Sequence, residues 1–372
     1  MAKKHVLFLH SSSEMYGSDR SLLSLIKLLD KEKYKITVLL PCEGPLVQEL
    51  QKIDKVTVRI FEVAVLRRKN LSFGGMMSYL HEFVRSYHYI RKLIKQEHVN
   101  IVYTNVAVVF PGAIAATFSR NCKSLWHIRE IIKDKRERFI VSLFVRLFSD
   151  FVIANSRATG EAICQKKQKL RVVYNAVDKK KTAVVHSPKT NVVVGMAGRI
   201  NRWKGQKLFV DMAEIVHEKR PEVQFQIAGA AYSGEEYLEK ELKEYIRAKK
   251  LENYVSMLGQ VNHMDDFYSS LDIFVLPSTQ PEPFGLVVIE AMEMKLPVIA
   301  TNHGGPVEII SDRADGFLVP FDRAEVMADR CIELVDDWKL RESMGKKAQE
   351  KKRAMFSLEK TVRKIDQILQ SV

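Results

Sequence analysis

The chain has 372 residues, 46% of them hydrophobic, and carries a formal net charge of +14 at pH 7. This length exceeds the usual size of one hydrophobic core and predicts two domains, while the composition excludes a disordered protein. The four cysteines are scattered without a Cys-x-x-Cys pair, which argues against a disulfide framework and favours a reducing compartment. The apolar run Val6–Leu9 is too short for a signal peptide.

Apolar runs alternate with helical patterns along both halves of the chain. They predict strands at His5–His10, Tyr34–Leu40, Val56–Ile60, Val99–Tyr103, Ser124–His127 and Phe151–Ala154, and again at Val192–Ala197, Val223–Ala228, Tyr254–Met257, Asp272–Leu276 and Pro297–Ala300. This alternation indicates an α/β protein with parallel sheets and right-handed crossovers, in two doubly wound domains.

One uncharged span, Ile101–Phe118, is long enough to raise the question of a membrane helix. Asn105, Pro111 and Gly112 interrupt it, so a buried strand and a short helix are predicted instead, and no transmembrane segment is expected.

The Lys-rich stretch Asp178–Asn191 is the predicted linker. The predicted domains are therefore residues 1–183 and 184–354, with a last helix at Ser357–Leu369. Residues 1–183 contain 33 Lys and Arg against 16 Asp and Glu, a net charge of +17, which indicates a negatively charged partner for this half. No nucleic-acid-binding motif is present, and the basic residues alternate with large apolar ones, so an anionic membrane surface is the predicted partner rather than nucleic acid.

The most informative motif is Glu282-Pro-Phe-Gly-Leu-Val-Val-Ile-Glu290, which joins a strand end to a helix starting near Leu286. The backbone N–H groups of Phe284, Gly285 and Leu286 are predicted to form an anion site at the helix start. An ionised carboxylate only accepts hydrogen bonds, so Glu282 and Glu290 are expected to bind sugar hydroxyls rather than phosphate. A phosphate flanked by two hydroxyl-binding groups indicates a nucleotide sugar.

This Glu-x7-Glu motif, with Phe-Gly inside it, resembles the signature of the family 4 retaining glycosyltransferases, which have the two-domain GT-B fold. Five further segments also resemble the family: Gly198-Arg199…Lys204-Gly205, Val173–Asp178, Ala154-Asn155-Ser156, Thr301…Gly304-Gly305…Glu308 and Asp315–Val319. The resemblance implies two Rossmann-like domains facing a central cleft. It also implies that the second domain binds the donor and that the last helix, about residues 355–372, crosses back onto the first domain.

In such enzymes side-chain cations stabilise the leaving diphosphate, a role that the resemblance implies for Arg199 and Lys204. No Asp-x-Asp sequence is present, and neither a metal nor another cofactor is expected. In the first domain, Gly17 lies where a backbone approaches phosphate, and His127 matches a strand-end histidine that contacts the donor sugar. Asn105, Asn155, Ser156 and Asn175 are interpreted as framework.

For Gly304-Gly305 and Glu308, a close backbone approach to the ligand and a purely structural role remain equally open. The predicted function is transfer of a hexose-type sugar from a nucleoside diphosphate sugar to a lipid-linked or polysaccharide acceptor in cell-surface glycan biosynthesis. The enzyme is expected to be cytoplasmic and peripherally bound to the inner face of the cell membrane. Two alternatives remain: a nucleotide-sugar 2-epimerase on the same fold, and a noncatalytic nucleotide- or glycan-binding module.

Overall fold

The computed structural model describes residues 3–66, 70, 72–163, 169–178 and 191–372. It divides into two compact units, of which the first comprises Met1–Asn175 with Leu358–Val372 and the second comprises Ala176–Ser357. The predicted domain boundary at 183/184 lies outside the described residues.

The first unit is a seven-stranded parallel sheet with flanking helices. Its strands are β1 (Lys4–Leu9), β2 (Tyr34–Leu40), β3 (Val56–Ile60), β4 (Ile101–Thr104), β5 (Lys123–Ile128), β6 (Phe151–Ala154) and β7 (Leu170–Val172). Its helices are α1 (Gly17–Leu28), α2 (Pro45–Gln51), α3 (Phe73–Glu97), α4 (Pro111–Thr117), α5 (Lys135–Phe148), α6 (Arg157–Ile163) and α14 (Leu358–Ser371).

The strand order is β3-β2-β1-β4-β5-β6-β7. The central strands are almost wholly buried, as expected for a parallel sheet covered by helices on both faces, whereas the edge strand β3 is largely exposed. The order reverses between β1 and β4, and in open α/β sheets ligands bind beyond the carboxyl ends of the strands at such a reversal.

The second unit repeats this plan with six parallel strands. Its strands are β8 (Val193–Ala197), β9 (Gln224–Ala228), β10 (Val255–Gly259), β11 (Ile273–Leu276), β12 (Val298–Thr301) and β13 (Phe317–Val319). Its helices are α7 (Gln206–Lys219), α8 (Tyr237–Ala248), α9 (Met264–Ser270), α10 (Leu286–Glu293), α11 (Pro306–Ile309), α12 (Ala324–Asp336) and α13 (Trp338–Met355). The order β10-β9-β8-β11-β12-β13 reverses between β8 and β11, which marks the binding edge of this unit.

The two doubly wound α/β units predicted from the strand–helix alternation are confirmed. The strands predicted at Tyr34–Leu40, Val56–Ile60 and Phe151–Ala154 have the observed bounds, and the other predicted strands differ by one or two residues at their ends. The sequence did not indicate β7, because three partly exposed residues carry no apolar run.

The last helix groups with the first unit. The Tyr34 hydroxyl bonds the Asp366 carboxylate at 2.8 Å, and Thr361 Oγ1 donates to the Tyr174 carbonyl at 3.0 Å. Ile365 and Leu369 are buried on the inner face of this helix. The span Ile101–Phe118 forms β4 and α4 as predicted. Within the described residues, every helix is too short or too polar to cross a bilayer.

Candidate active site

The loops that follow β8 and β11 lie at the strand-order reversal of the second unit. β8 ends at Ala197 and is followed by Gly198-Arg199, and β11 ends at Leu276 and is followed by the loop that carries Glu282. Neighbouring parallel strands end at one edge of the sheet, so residues distant in sequence meet there.

Lys204 and Glu282 meet at this edge in a bidentate ion pair. The Lys204 ammonium lies 2.9 and 2.7 Å from the two carboxylate oxygens of Glu282. Ser278 Oγ donates a further hydrogen bond to Glu282 at 3.1 Å, and Glu282 is only 7% exposed. Such a buried charge is stable only with a partner, so the two residues depend on each other. The sequence predicts that both residues bind the donor, but as separate ligands rather than as an ion pair.

Gly304 and Gly305 hold the backbone of Glu282 in place. The Gly305 N–H donates to the Glu282 carbonyl at 2.7 Å, and a Cβ on Gly304, whose φ is +73°, would lie 2.2 Å from that carbonyl oxygen. A Cβ on Gly305 would lie 2.3 Å from the backbone of Phe284. The sequence left open a close approach to the ligand and a structural role for these two glycines. The observed contacts are of the structural kind.

Helix α10 begins at Leu286 as predicted, with Gly285 at its N-cap in the left-handed conformation, φ +98°. Phe284 is buried and packs edge-on against Phe356, with ring centroids 5.9 Å apart. One turn into the helix, Glu290 accepts a hydrogen bond of 2.7 Å from the Tyr268 hydroxyl. The second glutamate of the motif therefore has a fixed side chain.

Aromatic rings support the two cations of this edge. The Arg199 guanidinium lies 3.4 Å from the centre of the Tyr232 ring, and the Lys204 ammonium lies 4.4 Å from the Trp203 ring centre. Gln206 Nε2 bonds the Arg199 carbonyl at 2.9 Å, which fixes the backbone there. Tyr232 and Trp203 are not among the residues predicted from the sequence. Trp203 directly precedes Lys204, a signal that was available, whereas Tyr232 is 33 positions from Arg199.

The first unit has a buried polar network at its own strand-order reversal. Asp19 of α1 accepts hydrogen bonds from His10 Nε2 at 2.7 Å and from the Tyr16 N–H at 2.9 Å. His10 Nδ1 lies 3.2 Å from Asn105 Nδ2. The network thereby fixes the start of α1, where Gly17 lies. Sequence reasoning missed His10 and Asp19 and placed Asn105 in the framework, which agrees with these contacts.

Arg129 continues this network from the end of β5. Its Nε donates to Asn105 Oδ1 at 2.9 Å, its Nη1 donates to Asn175 Oδ1 at 2.7 Å, and its Nη2 lies 3.3 Å from His127 Nδ1. Asn175 is bonded as the predicted framework role requires. Arg129, which the sequence analysis did not select, is the residue that joins the others.

His127 is almost fully buried at the end of β5, between Tyr103 and Arg129. Burial, reinforced by the Arg129 charge, holds the pKa of its imidazole well below the ordinary value. The ring is therefore neutral at physiological pH. Its Nε2 is buried and has no hydrogen-bond partner among the described residues.

Buried neutral histidines make stability depend on pH. Burial also lowers the pKa of His5. Below about pH 6.5 both histidines are protonated in the unfolded chain but not in the folded chain. The free energy of unfolding therefore decreases as the pH is lowered. We expect His127→Gln to reduce this slope by up to about 1.4 kcal/mol per pH unit between pH 6.5 and 5. Urea unfolding at several pH values measures it, with the exposed His81→Gln as control. An unchanged slope in His127→Gln would contradict burial of a neutral ring.

Among the residues that the structure describes, no three His, Cys, Asp or Glu side chains cluster as a metal site would require. At the binding edge the second unit presents cations, a carboxylate bonded to one of them and a hydroxyl, and the first unit presents an arginine, amides, histidines and a carboxylate. Such groups can bind a polyhydroxylated phosphate compound.

Two family models match the chain. "Glycosyltransferase Family 4" matches residues 15–181, and "Glycosyl transferases group 1" matches residues 177–351. Together the two models span residues 15–351. The chain belongs to the family 4, group 1 glycosyltransferases, which confirms the predicted family, while the Glu-x7-Glu signature and the retaining mechanism stay predictions.

Several relatives are similar over part or most of the chain. The D-inositol 3-phosphate glycosyltransferase of Paenarthrobacter aurescens is 35% identical over 41% of this chain and 37% of its own length. The lipopolysaccharide core biosynthesis mannosyltransferase LpsB of Rhizobium meliloti is 33% identical over 39% of this chain and 41% of its own. The chain thus spans about two fifths of these relatives. The UDP-Gal:alpha-D-GlcNAc-diphosphoundecaprenol alpha-1,3-galactosyltransferase of Escherichia coli is 26% identical over 94% of this chain and 92% of its own.

Solved structures show the same fold. HepE of Anabaena, crystallised with UDP and glucose, has a TM-score of 0.82 at 24% identity and covers 99% of both chains. The lipopolysaccharide outer core galactosyltransferase WaaB has a TM-score of 0.76 at 15% identity, covering 99% of this chain and 100% of its own. The GT-B fold class is confirmed. The roles of Glu282, Glu290, Arg199, Lys204 and His127 stay predictions.

Proposed function

We propose that the chain is a retaining, metal-independent glycosyltransferase that moves a hexose-type sugar from a nucleoside diphosphate sugar to a lipid-linked or polysaccharide acceptor. The observation that carries the proposal is the Lys204–Glu282 pair at the strand-order reversal of the second unit. A diphosphate needs a cation, and a sugar hydroxyl needs an acceptor. The pair presents both at the edge where α/β sheets bind nucleotides.

Each residue of this edge has a chemical role in the proposal. Arg199 and Lys204 bind the diphosphate, Glu282 accepts from sugar hydroxyls, and Glu290 accepts from the ribose hydroxyls. Lys204 is already bonded to Glu282, so donor binding shares the ammonium between the carboxylate and the diphosphate. In the first unit, Gly17 brings the backbone close to phosphate, and the neutral His127 contacts the sugar.

The proposed reaction needs no metal, because the two cations stabilise charge that develops on the diphosphate. The bond from the anomeric carbon to the diphosphate oxygen breaks, and its electron pair goes to the diphosphate. The acceptor hydroxyl attacks on the same face and gives up its proton to the leaving diphosphate. Glu282 is a weakened nucleophile, since Lys204 and Ser278 hydrogen-bond its oxygens, while Oε1 keeps a lone pair that can accept from a sugar hydroxyl.

Relatives support the donor and acceptor classes. HepE was crystallised with UDP-glucose, and the names of LpsB and the E. coli galactosyltransferase refer to lipopolysaccharide core biosynthesis and a diphosphoundecaprenol acceptor. We carry these classes to this chain as part of the proposal.

Calorimetry with a free nucleoside diphosphate separates the two glutamates. We expect Glu290→Ala to weaken its binding by roughly 1.5–3 kcal/mol, because hydrogen bonds to a charged acceptor are lost. Glu282→Ala is expected to retain nucleotide binding, since Lys204 remains, and to lose the additional affinity for the nucleotide sugar. Tyr268→Phe, which releases Glu290 without removing it, is expected to have an intermediate effect. Equal loss of nucleotide affinity in both glutamate variants would refute these roles.

We propose further that the first unit docks on an anionic membrane at the cytoplasmic face. The first half of α3 exposes four apolar residues at helical spacing, Met76, Met77, Leu80 and Val84. On α5, Phe139 is 68% exposed beside the exposed Lys135 and Arg136. Tyr79 of α3 and Val141 of α5 pack in one apolar cluster, so the two helices share a side of the unit. The sequence also predicts that the basic residues Arg67, Arg68 and Lys69 take part in this docking, and these three lie outside the described residues.

Liposome flotation tests this docking. Cations near an anionic surface contribute about 1 kcal/mol each, so binding is expected to require anionic lipid and to weaken with salt. Lys135→Glu/Arg136→Glu and Phe139→Ser are expected to release the protein without changing nucleotide binding. The control is Leu258→Ser, an exposed apolar residue of the second unit. Failure of the wild type to bind anionic vesicles at low salt would favour a soluble acceptor.

A further inference from the structure

The hydrogen bonds around His127 determine which ring nitrogen carries the proton. Tyr103 Oη and Arg129 Nη2 both face His127 Nδ1. A guanidinium has donors only, so Nδ1 must accept there, whereas the tyrosine hydroxyl adapts to either role. The hydrogen of the neutral ring is therefore on Nε2, the nitrogen without a partner among the described residues.

Arg129 is itself held in one orientation. Its Nε and Nη1 donate to the amide oxygens of Asn105 and Asn175. With its oxygen so occupied, Asn105 turns its amide nitrogen to His10 Nδ1, and the other nitrogen of His10 then donates to Asp19. Each of these hydrogen bonds joins a donor to an acceptor, and together they hold Arg129 in one orientation.

We propose that Arg129 is a positioning residue that forces His127 into the Nε2–H tautomer and so fixes the ring as a hydrogen-bond donor toward a sugar oxygen. The sugar part of this inference rests on the proposed function, and the tautomer part does not. Without Arg129 the neutral ring could place its hydrogen on Nδ1, and the lone pair then presented by Nε2 can accept from a sugar hydroxyl but cannot donate to a sugar oxygen.

The charged groups around the ring favour the same state. Tyr103 of β4 and Arg129 contact the His127 ring directly. The Glu130 carboxylate accepts hydrogen bonds from the N–H groups of Ala107 and Arg129 instead of bonding the ring. The other two ionisable residues of this network, His10 and Asp19, are hydrogen-bonded to each other. Burial and the Arg129 charge both lower the pKa of His127, so the ring stays neutral and its tautomer matters.

Nitrogen NMR of the whole chain labelled with 15N-histidine reads the tautomer directly. His127→Gln assigns the signals by their loss. In the wild type at pH 7 we expect hydrogen on Nε2 and a lone pair on Nδ1. Arg129→Gln, whose amide oxygen can accept from Nδ1–H, is expected to shift the ring toward the other tautomer. Tyr103→Phe retains Arg129 and is expected to keep the wild-type tautomer, as is the control Tyr79→Phe, another buried tyrosine.

Activity measured beside the tautomer separates positioning from a merely structural role. At pH 8 Arg129→Gln is expected to lower kcat/KM about tenfold, the loss of about one hydrogen bond. Burial, the larger cause of the lowered pKa of His127, persists in this variant, so acidification to pH 6 is not expected to restore the lost hydrogen bond. A structural defect would lower kcat/KM and leave the tautomer unchanged. Hydrogen on Nδ1 in the wild type, or an unchanged tautomer in Arg129→Gln, would overturn the inference whether or not the chain transfers sugar. If the tautomer shifts but no nucleotide sugar is used, only the proposed function is wrong.

Discussion

Replacing Lys204 by methionine is expected to impair both catalysis and folding. Loss of a group that stabilises developing charge typically lowers kcat by about 10²–10³-fold. Glu282 would also remain as a largely buried carboxylate without its cation, which costs roughly 3 kcal/mol of unfolding free energy. From the sequence alone, replacing Lys204 by alanine is expected to lower turnover more than folding stability. The bidentate pair adds a cost in stability to that expectation.

A second substitution separates the two effects of Lys204→Met. In Lys204→Met/Glu282→Gln no unpaired charge remains, so stability is expected to recover while activity stays low. Lys249→Met is the matched control, because Lys249 also bonds carboxylates in the second unit and is 19% exposed, against 17% for Lys204. Chemical unfolding and steady-state kinetics measure both quantities. If the double variant stayed as unstable as Lys204→Met, the paired-charge explanation would be wrong.

Gly304→Ala is expected to displace Glu282 without touching any ligand-binding side chain. The left-handed backbone alone costs an alanine about 1–2 kcal/mol, and the added Cβ would lie 2.2 Å from the Glu282 carbonyl oxygen. We therefore expect a loss of more than about 2 kcal/mol of stability. Because the carboxylate of Glu282 moves with its backbone, turnover is expected to fall by about 10²-fold.

Gly234→Ala is the control for this prediction. Gly234 also has a positive φ, +89°, but a Cβ there meets nothing within 4 Å. It therefore has the backbone cost alone, and its effect on turnover is expected to be small. Equal effects of the two substitutions would show that the contact with Glu282 does not matter.

The strands and the second-unit motif were predictable from the sequence because their signals are local. Runs such as Tyr34–Leu40 are mostly apolar, since all of this parallel strand except Lys35 is buried, and the start of α10 follows from Gly285. β7 has no such run, and its three residues take their structure from pairing with β6.

The bonding within the site was not predictable, because it joins residues that only the fold brings together. Lys204 and Glu282 are 78 positions apart, and Arg129 bonds Asn175 across 46 positions. Single-sequence patterns show that a cation or an amide lies near a strand end, but not which partner it meets. No sequence pattern predicts the buried network of His10, Asp19 and Arg129, since each residue alone is typical of a loop or a helix start.

The most direct test is the release of nucleoside diphosphate from a panel of UDP-, GDP- and ADP-sugars in the presence of EDTA. The wild type is expected to hydrolyse or transfer at least one of these donors at a rate that EDTA does not change, and Lys204→Met is expected to release about 10²-fold less. Transfer that EDTA abolishes and Mg²⁺ or Mn²⁺ restores would contradict metal-independent catalysis. If no donor were used or bound by the folded wild type, the proposed glycosyl transfer at the Lys204–Glu282 pair would be wrong.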